Sequence, residues 1–199
     1  MSQQAEVVLR QNGGRIMAQA YVFLAEGFEE IEGLTVVDIL RRADIQTEMV
    51  AVGEALQVTG SHGITVTADR LFQLGELRDG ELYVLPGGMP GTKHLMEHQG
   101  LSILLKQMDN AGKKLAAICA APSVLGKLEL LKGRKAVCYP GFEDKLTGAT
   151  VLKDAVAVDG NVTTSRGMGT AIPFALSLAA QLKGEKAAKD LAKGIIYGI

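Results

Sequence analysis

The sequence contains no tryptophan, and aromatic residues make up only 5% of its 199 residues. Proteins that bind single-stranded nucleic acid stack bases on aromatic side chains, so this composition disfavours that class. The 21 lysines and arginines nearly balance the 22 aspartates and glutamates, and the net charge is -1. Because no strongly basic face is implied, we expect no nucleic-acid partner.

Cysteine is also scarce. The two cysteines, Cys119 and Cys138, form neither a Cys-x-x-Cys pair nor another zinc-binding pattern, so we expect no metal and no other cofactor. A disulfide between them is an open alternative, although nothing in the sequence indicates an oxidising compartment. No apolar run is long enough to cross a bilayer, and residues 1–15 lack the hydrophobic segment of a secretion signal. The sequence therefore predicts a cytoplasmic protein that does not bind membranes.

Hydrophobic residues and glycine, by contrast, are abundant. Hydrophobic residues make up 47% of the chain, and 24 glycines are available for tight turns. This composition suits one compact domain with a real core. Residues 1–17 are polar and aperiodic, so we predict a flexible extension there and a single domain over residues 18–199.

Short apolar runs alternate with segments of helical periodicity, which predicts an α/β domain with a largely parallel sheet. Continuous apolar runs are typical of strands buried on both faces. The predicted strands are 20–25, 47–52, 81–85, 114–119, 135–140 and 155–158 with 161–164 as a hairpin, and a second short hairpin surrounds residues 60–63. Five helices are predicted. The first ends at Arg42, the second spans 92–110 and the third follows Cys119. The last two span 171–182 and 185–193. The first of these helices is expected to bury Ile31, Leu34, Val37, Ile39 and Leu40.

One strand-to-helix junction carries a cysteine. The apolar run ends at Cys119, and Pro122 then stands where the first turn of a helix tolerates proline. Such an elbow exposes its turn residue at the carboxyl edge of the sheet, where α/β proteins bind ligands and acyl-transfer enzymes hold a nucleophile. The N-terminus of the helix would favour a thiolate over a thiol. The alternative is a packed core cysteine, since free thiols are commonly buried.

Three further features reach the same sheet edge. The junctions Pro86–Gly88 and Ser165–Gly167 also follow strands, and their backbone N–H groups would either bind an anion or form ordinary tight turns. Glu32 lies one turn inside the first helix, where it would either point back over the sheet edge or be solvated.

The three histidines are predicted to be solvated. His94 and His98 have the i, i+4 spacing that metals use, but no third ligand lies nearby in the sequence. His62 stands alone in the hairpin loop.

Four segments taken together resemble the landmarks of the ThiJ/PfpI superfamily in its DJ-one branch. They are residues 27–32 (Gly-Phe-Glu-Glu-Ile-Glu), 85–88 (Leu-Pro-Gly-Gly), 116–122 and 164–170. The resemblance runs from residue 18 to the C-terminus. It implies a flavodoxin-like three-layer sandwich of the class I glutamine amidotransferase-like type, usually a homodimer, with a role in oxidative and carbonyl stress.

The resemblance also implies a role for each matching residue. Cys119 resembles the reactive cysteine, and Glu32 resembles the acid that is hydrogen-bonded to its sulfur. Because two anions in contact repel, Glu32 is expected to stay protonated and donate to a thiolate.

The same comparison implies an anion-binding set. The backbone N–H groups of Gly88 and Ala120 resemble oxyanion donors, with Gly87 beside them, and Arg166 would help to bind an anionic group. Ala120 stands where the protease-like branch has a histidine, so protease activity is not expected. Tyr139 replaces a histidine found in many members of the closer branch.

The function implied by the resemblance is that of a cofactor-independent glyoxalase or protein deglycase. The Cys119 thiolate would add to methylglyoxal, glyoxal or an early glycation adduct, and proton transfers through Glu32 would yield a 2-hydroxy acid. The alternative is a non-enzymatic redox sensor or chaperone that depends on oxidation of Cys119. The expected partners are 2-oxoaldehydes or glycated groups and a second copy of the chain, joined through the first helix and the short hairpin.

Overall fold

The structure, a computed structural model, describes residues 19–198, so the predicted extension over residues 1–17 lies outside the described part of the chain. The strands are β1 (Ala20–Leu24), β2 (Thr47–Ala51), β3 (Gln57–Thr59), β4 (Thr65–Thr67), β5 (Arg70–Leu71), β6 (Leu82–Leu85), β7 (Lys114–Ile118), β8 (Lys135–Ala136), β9 (Thr150–Val151), β10 (Val156–Asp159) and β11 (Val162–Ser165). The helices are α1 (Glu30–Arg42), α2 (Gly91–Glu97), α3 (Gln99–Asn110), α4 (Pro122–Lys127), α5 (Ala171–Lys183) and α6 (Glu185–Gly194). Among these helices, none combines the length and the apolar character needed to cross a bilayer.

Seven strands form the central sheet in the order β10-β11-β7-β6-β1-β2-β5. All neighbouring strands are parallel except β10, which forms an antiparallel hairpin with β11. β3 and β4 form the predicted hairpin outside this sheet. Because parallel strands end at a common edge, the loops after β1, β6, β7 and β11 meet there.

The core has two halves, one on each face of the sheet. Successive side chains of a strand point to opposite faces, so Tyr21 and Phe23 of β1 pack with α2, α3 and α4, while Val22 and Leu24 pack with α1 and α5. All four are fully buried. This arrangement is the three-layer α/β sandwich that was predicted.

The predicted helix over residues 92–110 is two helices, which corrects that prediction. The chain leaves the helical conformation at His98, whose φ and ψ are -77° and 103°. The Nδ1 atom of His98 accepts a hydrogen bond from the Leu101 N–H at 2.9 Å and so caps α3. Histidine is not among the usual N-cap residues, so the pattern gave no signal for this break. His98 was expected to be solvated, but it is half-buried, so that expectation is wrong.

Two further predictions about elements need correction. The strand predicted over 135–140 is reduced to β8, which pairs with β9 in a separate two-stranded sheet. Ile31, assigned to the buried side of the first helix, is 51% exposed. The buried side of α1 instead includes Glu30, Glu32 and Gly33, because the start of α1 lies over the loops at the sheet edge and not over apolar strands.

Candidate active site

Cys119 lies on the predicted elbow, directly after β7 and before α4. Its φ of 64° is in the left-handed region, which a non-glycine residue adopts only when its surroundings hold it there. Hydrogen bonds on both sides do this: the Cys119 N–H donates to the Ser165 carbonyl at 3.0 Å, and the Tyr139 N–H donates to the Cys119 carbonyl at 2.8 Å. Cys119 is half-buried whereas Cys138 is buried, and both thiols are free. The elbow therefore leaves the Cys119 sulfur within reach of a small molecule.

Glu32 points from α1 back to this sulfur. The side chain of Glu29 caps the helix by accepting the Glu32 N–H at 2.7 Å, which fixes the first turn of α1. Glu32 is only 1% exposed, so the alternative of a solvated glutamate is wrong. Its Oε2 atom accepts the Gly87 N–H at 2.8 Å, and the carboxyl group shares a hydrogen bond with the Cys119 sulfur.

The glycines after β6 allow this close approach. A Cβ atom on Gly87 would lie 2.6 Å from Oε2 of Glu32 and 2.7 Å from Cβ of Cys119. Gly88 has a φ of 89°, and a Cβ atom there would lie 2.3 Å from the backbone nitrogen of Glu29. Any side chain at either position would therefore force apart the loops that hold the acid and the thiol.

Two backbone N–H groups converge on the Cys119 sulfur. Those of Ala120 and Gly88 donate to it, and both lower the pKa of the thiol because they stabilise negative charge. These are the two donors that the resemblance assigned as oxyanion donors, and the structure brings both of them to the sulfur.

Burial nevertheless dominates the electrostatics of the pair. Burial raises the pKa of Glu32 to about 7, against the lowering effect of the Cys119 and Gly87 hydrogen bonds. Burial, together with the charge and the hydrogen bond of Glu32, raises the pKa of Cys119 to about 12. The raised pKa of Glu32 agrees with a retained proton. The expectation that Cys119 has a lowered pKa is wrong, because burial and the adjacent carboxylate outweigh the two N–H donors.

Arg166 lies at the edge of this arrangement. Its Nη1 atom donates to the Lys153 carbonyl at 3.4 Å. Its positive charge has only a minor influence on two neighbours: burial raises the pKa of Cys138 to about 11, and backbone hydrogen bonds are the main cause of the lowered pKa of Glu143. Binding of an anion by Arg166 stays a prediction.

Sequence reasoning missed the residue that holds this loop. The Thr170 Oγ1 atom accepts the N–H groups of Arg166 at 3.2 Å and Gly167 at 3.1 Å, and its hydroxyl donates to the Gly167 carbonyl at 2.8 Å. Gly167 in turn lies beside the acid, since its Cβ position is 3.9 Å from Oε1 of Glu32. The available signal was a threonine directly before the helical run of α5, since threonine is a preferred residue at helix starts.

The histidines do not form a metal site with the thiol. His94 is exposed, and its Nδ1 atom lies 2.9 Å from the Glu26 carbonyl. Within residues 19–198, Glu29, Glu30 and His62 are the group whose ligand atoms lie within 4.8 Å of one another. The side chain of His62 is 69% exposed, as expected, but its Nδ1 atom lies 2.9 Å from the buried carboxylate of Glu30. Hydrogen bonds within the protein already occupy this group.

Comparison with known proteins finds relatives that are similar to this chain in sequence and in fold. Protein DJ-1 homolog B of Arabidopsis thaliana is 35% identical over 179 residues, which are 89% of this chain and 41% of that protein, so the chain spans less than half of this relative. Glutathione-independent glyoxalase DJR-1.2 of Caenorhabditis elegans is 32% identical over 170 residues, covering 84% of this chain and 90% of that protein. The structure of oxidized Toxoplasma gondii DJ-1 superposes with a TM-score of 0.86 at 34% identity, covering 92% of this chain and 100% of that chain.

The fold and the site define an α/β sandwich protein with a cysteine on a strained elbow, faced by a buried glutamate. Residues 18–181 match the DJ-1/PfpI family, and the chain belongs to that family.

Proposed function

We propose that the chain is a cofactor-independent enzyme that converts 2-oxoaldehydes such as methylglyoxal into 2-hydroxy acids, with Cys119 as nucleophile. The observation that supports this most directly is the contact between the Cys119 sulfur and Glu32, a carboxyl group with a pKa of about 7. A general acid–base group works best when its pKa is near the operating pH. The relative named as a glutathione-independent glyoxalase adds support.

The first step is addition of sulfur to the aldehyde. The Glu32 carboxylate takes the proton of the Cys119 thiol as the sulfur–carbon bond forms, so no free thiolate is needed beforehand. The aldehyde oxygen gains the negative charge next to the N–H groups of Gly88 and Ala120, and it then takes the proton from Glu32. The product is a hemithioacetal, and Glu32 is a carboxylate again.

The next steps move hydrogen within the adduct. Glu32 removes the proton from the former aldehyde carbon and returns it to the neighbouring carbon through an enediol. The first carbon is thereby oxidised to a thioester while the second is reduced to an alcohol, so no external oxidant is required. Water then cleaves the thioester, releasing the 2-hydroxy acid and the free thiol. Glycated groups that carry the same 2-oxo arrangement would enter the same sequence of steps.

The test measures lactate formed from methylglyoxal by purified protein. Cys119→Ser should lose the activity, and Glu32→Gln should lose about 10²–10⁴-fold in kcat because a general acid–base group is removed. Cys138→Ser is the matched control, since Cys138 is also a free cysteine, and it should keep the wild-type rate. Equal, slow conversion by wild type and Cys119→Ser would refute the proposal.

A second candidate is a redox sensor or chaperone that uses the same cysteine. The Gly88 and Ala120 N–H groups that contact the sulfur could equally hold the oxygens of a sulfinate. The structural neighbour from Toxoplasma gondii is an oxidized protein. Hydrogen peroxide would transfer one oxygen atom to the sulfur in each of two steps, with release of one water molecule each time.

The redox-sensor function predicts different experimental results from the enzyme function. Peroxide should oxidise Cys119 to the sulfinate, visible by mass spectrometry, and change the suppression of aggregation of a client protein. Cys119→Ser should show neither response, whereas Cys138→Ser should show both. An effect on aggregation that is identical in wild type and Cys119→Ser would refute the sensor function.

A further inference from the structure

A shallow pocket lies beside the Cys119–Glu32 pair. Its volume is about 270 Å³, slightly below the roughly 300 Å³ at which typical ligand pockets begin. It therefore has the size for one substituent of a ligand and not for a whole large molecule. The residues that line it are Tyr139, Pro140, Arg166, Gly167, Met168, Gly169 and Thr170.

The walls of the pocket are apolar at its mouth. Tyr139 is 51% exposed and Met168 is 56% exposed, although both are large hydrophobic side chains. The ring of Tyr139 lies 3.3 Å from the Cβ position of Gly167, so the ring stands directly against the pocket floor. Two large apolar side chains left open to solvent in the lining of one pocket mark a site that gains from being covered.

The pocket connects to the reacting groups through Gly167. The same Cβ position lies 3.9 Å from the Oε1 atom of Glu32, and the Tyr139 N–H donates to the Cys119 carbonyl. A molecule bound to the Cys119 sulfur therefore has this pocket next to it. The Thr170 hydroxyl fixes the backbone of Gly167, so the pocket is formed before a ligand arrives.

The cationic side chain in the pocket lining is that of Arg166, whose Nη1 atom donates to the Lys153 carbonyl at 3.4 Å. Most of the exposed lining is apolar. A neutral apolar ligand group would cover the side chains of Tyr139 and Met168 and leave this hydrogen bond in place. An anionic group would lose solvent contacts against a mostly apolar surface.

We propose that this pocket binds the substituent next to the ketone carbon of the 2-oxoaldehyde, and that the preferred substrates carry a neutral apolar substituent larger than a methyl group. This inference rests on the proposed function. Burial of each additional methylene contributes about 0.8 kcal/mol, or about fourfold. Since the pocket is open on one side, we expect a butyl substituent to raise kcat/KM by about tenfold in total over the methyl group.

The experiment compares three substrates: methylglyoxal, 2-oxohexanal, and 5,6-dioxohexanoate, which carries a carboxylate on a chain of matched length. With wild type, kcat/KM for 2-oxohexanal should exceed that for methylglyoxal by about tenfold, while 5,6-dioxohexanoate should show no gain. Met168→Ser should reduce the ratio of 2-oxohexanal to methylglyoxal to about twofold. Ile103→Ser is the control, because Ile103 is a 47% exposed hydrophobic residue on α3, outside the pocket, and it should keep the wild-type ratio.

A second measurement does not depend on turnover. N-butyl iodoacetamide should alkylate Cys119 several-fold faster than iodoacetamide after correction for their rates with free cysteine, and Met168→Ser should remove this advantage. Equal alkylation rates together with equal kcat/KM values would overturn the proposal, and so would a preference for 5,6-dioxohexanoate. If no 2-oxoaldehyde is converted but the butyl reagent is still favoured, the proposed function fails and the apolar pocket is supported.

Discussion

At the scale of single residues, the site depends on a carboxyl group and a thiol that are buried together. Burial raises the pKa values of both groups, and the charge and hydrogen bond of Glu32 raise the pKa of Cys119 further, so both groups hold their protons more tightly than they would in water. Sequence reasoning identified Glu32 and Cys119 from their places in matching segments. It could not predict the thiol pKa, because that depends on how completely the folded chain excludes water from the sulfur.

The raised pKa of Glu32 predicts how stability depends on pH. The group titrates near 4.5 when unfolded and near 7 when folded, so its contribution to stability is fully present below pH 4.5. It is lost as the pH rises through 7, and the loss is about 3 kcal/mol. Glu32→Gln removes this titration. The free energy of unfolding of Glu32→Gln minus that of wild type should therefore be about 3 kcal/mol larger at pH 8 than at pH 4.

Urea unfolding at a series of pH values from 4 to 8 measures this difference. Ile103→Ser is the control, because it changes an exposed residue of α3 without removing an ionisable group, and its curve should run parallel to that of wild type. Parallel curves for wild type and Glu32→Gln would contradict the raised pKa.

At the scale of elements, the first helix shows both the strength and the limit of sequence patterns. Its position and its end at Arg42 were predicted from acidic residues at the start and arginines at the end. Its orientation was partly wrong: Ile31 faces outward while Glu32 is buried. Hydrophobic periodicity assumes an apolar surface beneath the helix. Here the first turn lies over polar loops at the sheet edge, which no local pattern reveals.

The turn between β11 and α5 depends on one hydroxyl group, that of Thr170. Thr170→Val keeps the shape of the side chain but leaves the Arg166 and Gly167 N–H groups without their acceptor. Loss of these part-buried hydrogen bonds should destabilise the protein by about 1–3 kcal/mol. Faster hydrogen–deuterium exchange at residues 166–167 should accompany the loss. Thr150→Val, at an exposed threonine of β9, should change stability by less than about 0.5 kcal/mol.

At the scale of the whole molecule, the start of α1 and the β3–β4 hairpin form one continuous surface. The Glu30 carboxylate, which is 4% exposed, accepts the His62 N–H at 2.8 Å and the Ile64 N–H at 3.4 Å. Ile64, which is 54% exposed, donates its N–H to Glu30, and the next residue after Glu30 is Ile31, which is 51% exposed. Two large aliphatic side chains beside these hydrogen bonds suit a protein interface better than a solvated surface.

We therefore expect this surface to join two copies of the chain about a two-fold axis, which lets each copy present the same patch. Sedimentation velocity at micromolar concentration should show a dimer for wild type and a monomer for Ile31→Asp, because a charge buried in an apolar interface is strongly unfavourable. Ile103→Asp places the same charge on an equally exposed isoleucine of α3 and should leave the dimer intact. If Ile31→Asp sediments as wild type does, or if wild type is itself a monomer, this surface does not join two copies of the chain. Methylglyoxal turnover by a monomeric Ile31→Asp variant shows whether each Cys119–Glu32 pair works without a second copy of the chain.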